Sequence, residues 1–129
     1  MRNQGLWHPA LLAELTRLGH GDTVVLADAG LPVPEGTTVI DLLWARGQPR
    51  LGPLLKCVVA EFVFDRATVA EELLSAPCGS EVLAELEGLE VRQVPHSEFK
   101  ELVAGARLVV RTGEDTPFVN VILHGGVAF

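Results

Sequence analysis

Cysteine occurs only twice in this 129-residue chain, as Cys57 and Cys78. They form no Cys-x-x-Cys pair and have no histidine at ligand spacing, so a structural zinc site is not expected. Both read as reduced, buried or half-buried thiols of a cytosolic protein. Basic residues are also scarce: ten Lys plus Arg stand against seventeen Asp plus Glu, a formal net charge of -7. They are scattered rather than gathered into a stripe, so a polyanion would be repelled on average and nucleic acid is not an expected partner. An uncharged small molecule fits better. No run approaches the ~20 apolar residues needed to cross a bilayer. The opening segment MRNQGLWHPALLAELTRLG is interrupted by Pro9, Glu14 and Arg17, so no signal peptide and no membrane partner are expected and the reading is cytoplasmic. No GxGxxG, P-loop or G-x-S-x-G pattern is present, which leaves nucleotide-phosphate binding and serine-hydrolase chemistry without a motif.

What is present is a chain that folds. Hydrophobic residues make up 48% and charged residues 21%, and the length suits one ordinary domain over residues 1–129. Leu11, Leu12, Leu15 and Leu18 recur at helical spacing, with Pro9 suited to a first turn and Gly19 to a C-terminal cap. TVVLA, from Thr23, is short, β-branched and apolar throughout, as a strand covered on both faces reads. TTVID is a second strand, LLKCVVAEF leans to helix, and VFDRATVAEEL reads as extended. SEVLAELEG is a helix with Ser80 as cap and Gly88 as stop, and EVRQV alternates as a strand. Ser97 is a good cap for a helix carrying Phe99, Leu102, Val103 and Ala106, which places His96 just outside its N-terminus. RLVVRTG and FVNVIL complete the strands. Strands alternating with helices point to an α/β fold, a three-layer α/β/α sandwich around a mostly parallel or mixed central sheet. Ligands gather at the carboxyl ends of such strands, where Asp28 and the Gly113 to Pro117 loop fall.

Four histidines are few, and two stand at turns. His20 lies in a Gly-His-Gly-Asp turn after the first helix, whose terminal carbonyls favour imidazolium and hence a proton donor. The same turn is equally a helix stop with a solvated histidine. His96 stands at the other kind of helix end, which favours the neutral ring and suits recognition of a hydroxyl. It is also an ordinary turn residue. Lys100 follows four residues later on the same helical face, where a solvated lysine is the simpler reading. Asp28 could anchor two sugar hydroxyls or orient a histidine, and equally could bond its own Asp-Ala-Gly backbone. Asn120 needs partners if buried, and Phe118 beside it serves either the core or as a platform for a sugar ring. His8, His20, His96 and Asp28 share no local ligand spacing, so no metal is expected.

LGHGDTVVLADAGLPVP, PHSEFK and RTGEDTPFVNVILHGGVAF resemble, in order and spacing, the D-ribose pyranase and L-fucose mutarotase family. The similarity runs from the first helix to the last residue. It implies an isomerase of carbohydrate metabolism that interconverts ring forms of a free sugar without a cofactor. For D-ribose these are the β-pyranose and β-furanose, the latter supplied to a kinase in ribose catabolism. Carried over by position, the proton donor falls on His20, and sugar-binding residues fall on Asp28, His96 and the segment Phe118, Val119 and Asn120. Ring-shaped homo-oligomers are implied too, commonly decamers of two stacked pentamers with the sugar between subunits. One departure stands out: the family's usual tyrosine is Phe118 in a chain with no tyrosine, so a hydroxyl is missing while the stacking surface survives. The expected chemistry is protonation of the ring oxygen by His20 while Asp28 and His96 hold the hydroxyls, the two turns facing each other across one strand. A fucose mutarotase, a non-catalytic sugar-binding or regulatory protein, and a plain structural oligomer are the rival readings.

Overall fold

The computed structural model describes all residues, 1–129. Six strands make one mixed sheet: β1 (Thr23–Ala27), β2 (Thr38–Asp41), β3 (Phe64–Ala70), β4 (Glu90–Val94), β5 (Leu108–Arg111) and β6 (Val121–Gly125), in the spatial order β2-β5-β1-β6-β3-β4. β1, β2 and β5 pair in parallel, as do β3 and β4, and β6 runs antiparallel between the two groups. The carboxyl ends of β1 and β3 therefore lie on one edge together with the start of β6.

The two faces of the sheet are covered unequally. Val24, Leu26, Leu108, Val110, Val121 and Leu123 point to the side packed by α1 (Pro9–Thr16), α2 (Leu51–Glu61) and α3 (Gly79–Ala84). Val25, Ala27, Val109 and Ile122, the alternate residues of the same strands, meet α4 (His96–Val103) through Phe99 and Val103. Both faces of β1 and β5 are thus dry, which is why their sequences are continuously apolar. The layers are helix, sheet, helix, with one helix alone on the second face.

Several boundaries differ from the sequence reading. Pro95 is the N-cap of α4, so His96 is the first helical residue and Ser97 lies inside. Pro95, with φ -56 and ψ 147, already turns the chain into the helix, and the free N–H of His96 donates to the Glu72 carboxylate at 3.0 Å. A cap from a distant element replaces the local one. Likewise α3 starts at Gly79 after Cys78, leaving Ser80 within it. There a β-carbon at residue 79 would collide with the Leu73 carbonyl, so the close approach of two turns sets the boundary. The extended segment ends at Ala70, and Glu71–Ser75 form a 3-10 turn. α1 stops at Arg17, before Gly19, and its start is capped by His8, whose Nδ1 accepts the Leu11 N–H at 3.1 Å. Gly21, with φ 87, is the residue that needs left-handed freedom in the following turn.

Candidate functional site

β1 stops where its hydrogen bonding changes partner. The Asp28 N–H donates to Asn120 Oδ1 at 2.7 Å, and Asn120 Nδ2 donates to Asp28 Oδ2 at 2.9 Å. Asp28 Oδ1 accepts the Gly30 N–H at 2.9 Å, the local turn bond that Asp-Ala-Gly invites. Asn120 is wholly buried and Asp28 is 8% exposed. The turn bond of the second reading of Asp28 is present, and its oxygens retain lone pairs that a hydroxyl donor could use.

The loop after β5 is placed just as firmly. Thr112 Oγ1 donates to the Ala27 carbonyl at 2.7 Å, and the Ala29 N–H donates to the Glu114 carbonyl at 2.9 Å. Gly113 lies so close to Gln48 that a β-carbon would strike its backbone. Arg50 reaches Glu114 at 2.7 Å and Asp115 at 2.5 Å, while Arg46 reaches Asp115 at 2.9 Å. These hydrogen bonds, Arg46 first and Arg50 second, hold the Asp115 carboxyl below its ordinary pKa.

Between the Asp28 turn and this loop lies a cavity of about 290 Å³ lined by Asp28, Leu31, His96, Glu114, Thr116 and Phe118, among others. The His96 ring meets Phe118 edge-on, with centroids 4.9 Å apart, and lies nearly parallel to Phe99 at 6.3 Å. Its Nδ1 is buried and makes no hydrogen bond within the chain. Phe118 sits at φ 69 and presents a 39% exposed ring to the cavity, while Val119 turns into the core. Lys100 is exposed on α4 and is not part of the cavity wall. A small cavity with an aromatic wall and fixed carboxylate acceptors suits a molecule that pairs hydroxyls with apolar ring faces.

His20 is elsewhere. It precedes β1, whereas Asp28 follows it, so a five-residue strand, about 16 Å long, separates them. The expectation that the two turns face each other across the strand is corrected: they occupy opposite ends of it. At its own end His20 lines a second cavity, of about 200 Å³, with Gly21, Asp65, Arg66, Glu90, His124 and Gly125. Its Nε2 lies 3.3 Å from Asp65 Oδ2. His124, half-buried on β6, stands 3.1 Å from Thr68 Oγ1. Its pKa is lowered, first by burial and then by Arg66 and Arg92.

The structure thus gathers Asp28, His96 and Phe118 around one cavity, with Asn120 behind Asp28, and leaves His20 and Lys100 outside it. His8, at the opposite end of α1 from the His20 turn, joins neither group. Sequence reasoning passed over Glu114, buried in the cavity wall, although its loop had been placed at a strand end. Asp65 and His124 were also missed. No local pattern marks them, because only pairing of β3 with β6 brings them to His20.

Comparison with known proteins adds four findings. Residues 1–128 match the RbsD / FucU transport protein family. The chain is 45% identical to D-ribose pyranase 1 of Rubrobacter xylanophilus and 44% identical to the D-ribose pyranase of Streptomyces coelicolor, each over 100% of both chains. The structure of Bacillus subtilis RbsD complexed with D-ribose superposes with a TM-score of 0.93 at 35% identity, covering 100% of both chains. The fucose mutarotase of Streptococcus pneumoniae, at 23% identity and a TM-score of 0.76 over 95% of this chain and 94% of that one, shares the fold.

Proposed function

The chain belongs to the RbsD/FucU family, and from that premise we propose that it is an isomerase interconverting the ring forms of a free monosaccharide, β-D-ribopyranose and β-D-ribofuranose. The observation that carries this reading is Asp28 in the wall of a small cavity, held from behind by the buried Asn120 and standing in the same wall as His96. In this reading sugar hydroxyls donate to Asp28, whose orientation Asn120 fixes, and one hydroxyl pairs with His96. The Phe118 ring packs on the apolar face of the sugar, Val119 anchors the segment in the core, and Lys100 belongs to the rim.

Ring opening moves two protons: the ring oxygen gains one and the anomeric hydroxyl loses one. The open aldehyde then closes through a different hydroxyl. No cofactor enters these steps, and a positioned acid or base typically contributes 10²–10⁴-fold. The acid in this reading is His20. Because His20 stands a strand's length from the cavity of its own chain, the acid for each cavity comes from another copy. A site divided in this way supports assembly into a closed oligomer. The family resemblance supports a decamer of two stacked pentamers, working in the cytoplasm.

Proton saturation transfer on equilibrated D-ribose tests the reading. The native protein is expected to transfer saturation between pyranose and furanose signals at catalytic concentration. Transfer only between anomers of L-fucose would move the protein to the mutarotase reading, which the missing hydroxyl at Phe118 keeps open. Sugar binding without any accelerated exchange would make it a binding or regulatory protein.

A further inference from the structure

We infer that Asp65 is the positioning residue for the proton donor: its carboxylate, 3.3 Å from His20 Nε2, holds that nitrogen and leaves Nδ1 to face the sugar. The inference rests on the reading of His20 as the acid. It draws on three features of the backbone that serve no purpose within the sugar cavity.

The first is a bulge. The pairing of β3 with β6 shifts register between Phe64 and Arg66, so Asp65 is the extra residue and its side chain is re-aimed relative to its neighbours. The second is Gly126, whose N–H donates to the Val63 carbonyl at 3.0 Å; a β-carbon there would collide with the Asp65 carboxylate. The third is Gly125, where a β-carbon would stand 2.7 Å from the Gly19 carbonyl oxygen. Gly125 also exchanges backbone bonds with the turn itself, accepting from Gly21 at 3.0 Å and donating to Asp22 at 2.8 Å. Two adjacent glycines at the end of β6 therefore dock the turn carrying His20 and the bulge carrying Asp65 against each other.

Other charged groups are near, and each has a different place. Arg66, Glu90 and His124 share the cavity with His20, yet Asp65 is the carboxylate at ion-pair distance from it. Asp22 is occupied by the Gly19 N–H at 2.8 Å and by Arg107 at 2.7 Å. In the single chain His20 and Asp65 are 65% and 51% exposed, where such a pair contributes little. When the cavity of another copy covers them, water leaves and the same separation interacts more strongly.

The step balances with these groups. His20 Nδ1 gives its proton to the ring oxygen as the bond from that oxygen to the anomeric carbon breaks. The anomeric O–H electron pair becomes the aldehyde π bond, and the hydroxyl proton passes to water. The imidazole is then neutral, with Nε2–H still facing Asp65. On reclosure a different hydroxyl adds to the aldehyde carbon and loses its proton to Nδ1, while the carbonyl oxygen takes one from water.

The test compares native protein, His20→Ala, Asp65→Asn and Asp65→Glu as assembled oligomers, by saturation transfer across sugar concentration. The sugar is whichever of D-ribose or L-fucose the native protein exchanges. Asp65→Asn is expected to lower the maximal rate about 10- to 100-fold, part of the 10²–10⁴ a positioned acid supplies. The half-saturating sugar concentration should hardly change. Asp65→Glu should restore most of the rate. If His20→Ala is inactive and Asp65→Asn keeps the native rate, the role of Asp65 falls and that of His20 stands. A loss in Asp65→Asn that raises the half-saturating concentration instead of lowering the maximal rate, or that glutamate does not restore, marks a structural residue and also overturns the inference. If His20→Ala exchanges sugar as fast as native protein, the reading of His20 falls and the inference falls with it.

Discussion

The two ends of β1 carry the same kinds of side chain, a histidine and an aspartate, in opposite physical states. At the carboxyl end Asp28 is 8% exposed and locked to a wholly buried Asn120. At the amino end His20 and Asp65 meet across 3.3 Å in the open. One end is fixed by buried hydrogen bonds within the chain, and the other is left open to solvent. In the proposed reading, binding would draw on the first and proton transfer on contact between copies at the second.

The largest expected effect breaks the comparison directly. His20→Ala and Asp28→Ala should each remove most of the accelerated exchange, in the 10²–10⁴ range of a lost acid or a lost anchor. Mixing the two inactive variants, unfolding and reassembling them together should recover activity, since a cavity on one copy then meets an intact His20 on another. Saturation transfer on the mixture measures this, and no recovery would show that each chain works alone.

A smaller effect separates the ends by stability. Asn120→Ala removes two buried hydrogen bonds and leaves the Asp28 N–H and one carboxylate oxygen without partners, so urea denaturation should register a loss of about 2–4 kcal/mol. Asp65→Ala, at a half-exposed position, should cost within about 0.5 kcal/mol in the same experiment. Equal losses would contradict the contrast between a built end and an open one. Next, Phe118→Tyr adds the hydroxyl this cavity lacks. One net hydrogen bond of about 0.5–1.5 kcal/mol should tighten sugar binding a few-fold, read by titration calorimetry.

The smallest effect is in acid. Burial, then Arg66 and Arg92, lower the pKa of His124, so the unfolded chain takes up that proton first. Its contribution to stability is complete above about 6.5, the ordinary histidine value, and is lost as pH falls through the lower folded value. At the other end Asp115 is held below the ordinary 3.8 by Arg46 and Arg50, so its contribution is present above that pH and lost as pH falls through its own lowered value. The urea midpoint should therefore begin to decline near pH 6.5 in the native protein and begin later in His124→Gln.

Much of this was legible along the chain because it is local. TVVLA is apolar on both faces and became an inner strand, and the Asp-Ala-Gly turn closed on its own carboxylate. The segment Phe118, Val119, Asn120 lay beside a strand and an amide there needed a partner, which proved to be Asp28, 92 residues away in sequence. What stayed hidden depends on pairing across the sheet. Nothing near Asp65 announces a bulge, and nothing near His96 announces that Glu72 will cap its helix. The separation of His20 from Asp28 was deducible in principle, since a strand between two turns must carry them apart. Similar chemistry in two turns is no measure of their distance when a strand lies between them.

Phe118 shows what such a cavity demands of the chain that forms it. A bulky residue with φ 69 occupies backbone space that glycine enters freely and that costs other residues about 1–2 kcal/mol. Phe118→Gly would relax the turn before β6 and, on that count alone, yield a more stable protein with no aromatic wall. Selection for thermal stability without selection for turnover would therefore drift toward glycine at this position, and a library sorted by both would separate the two demands at a single residue.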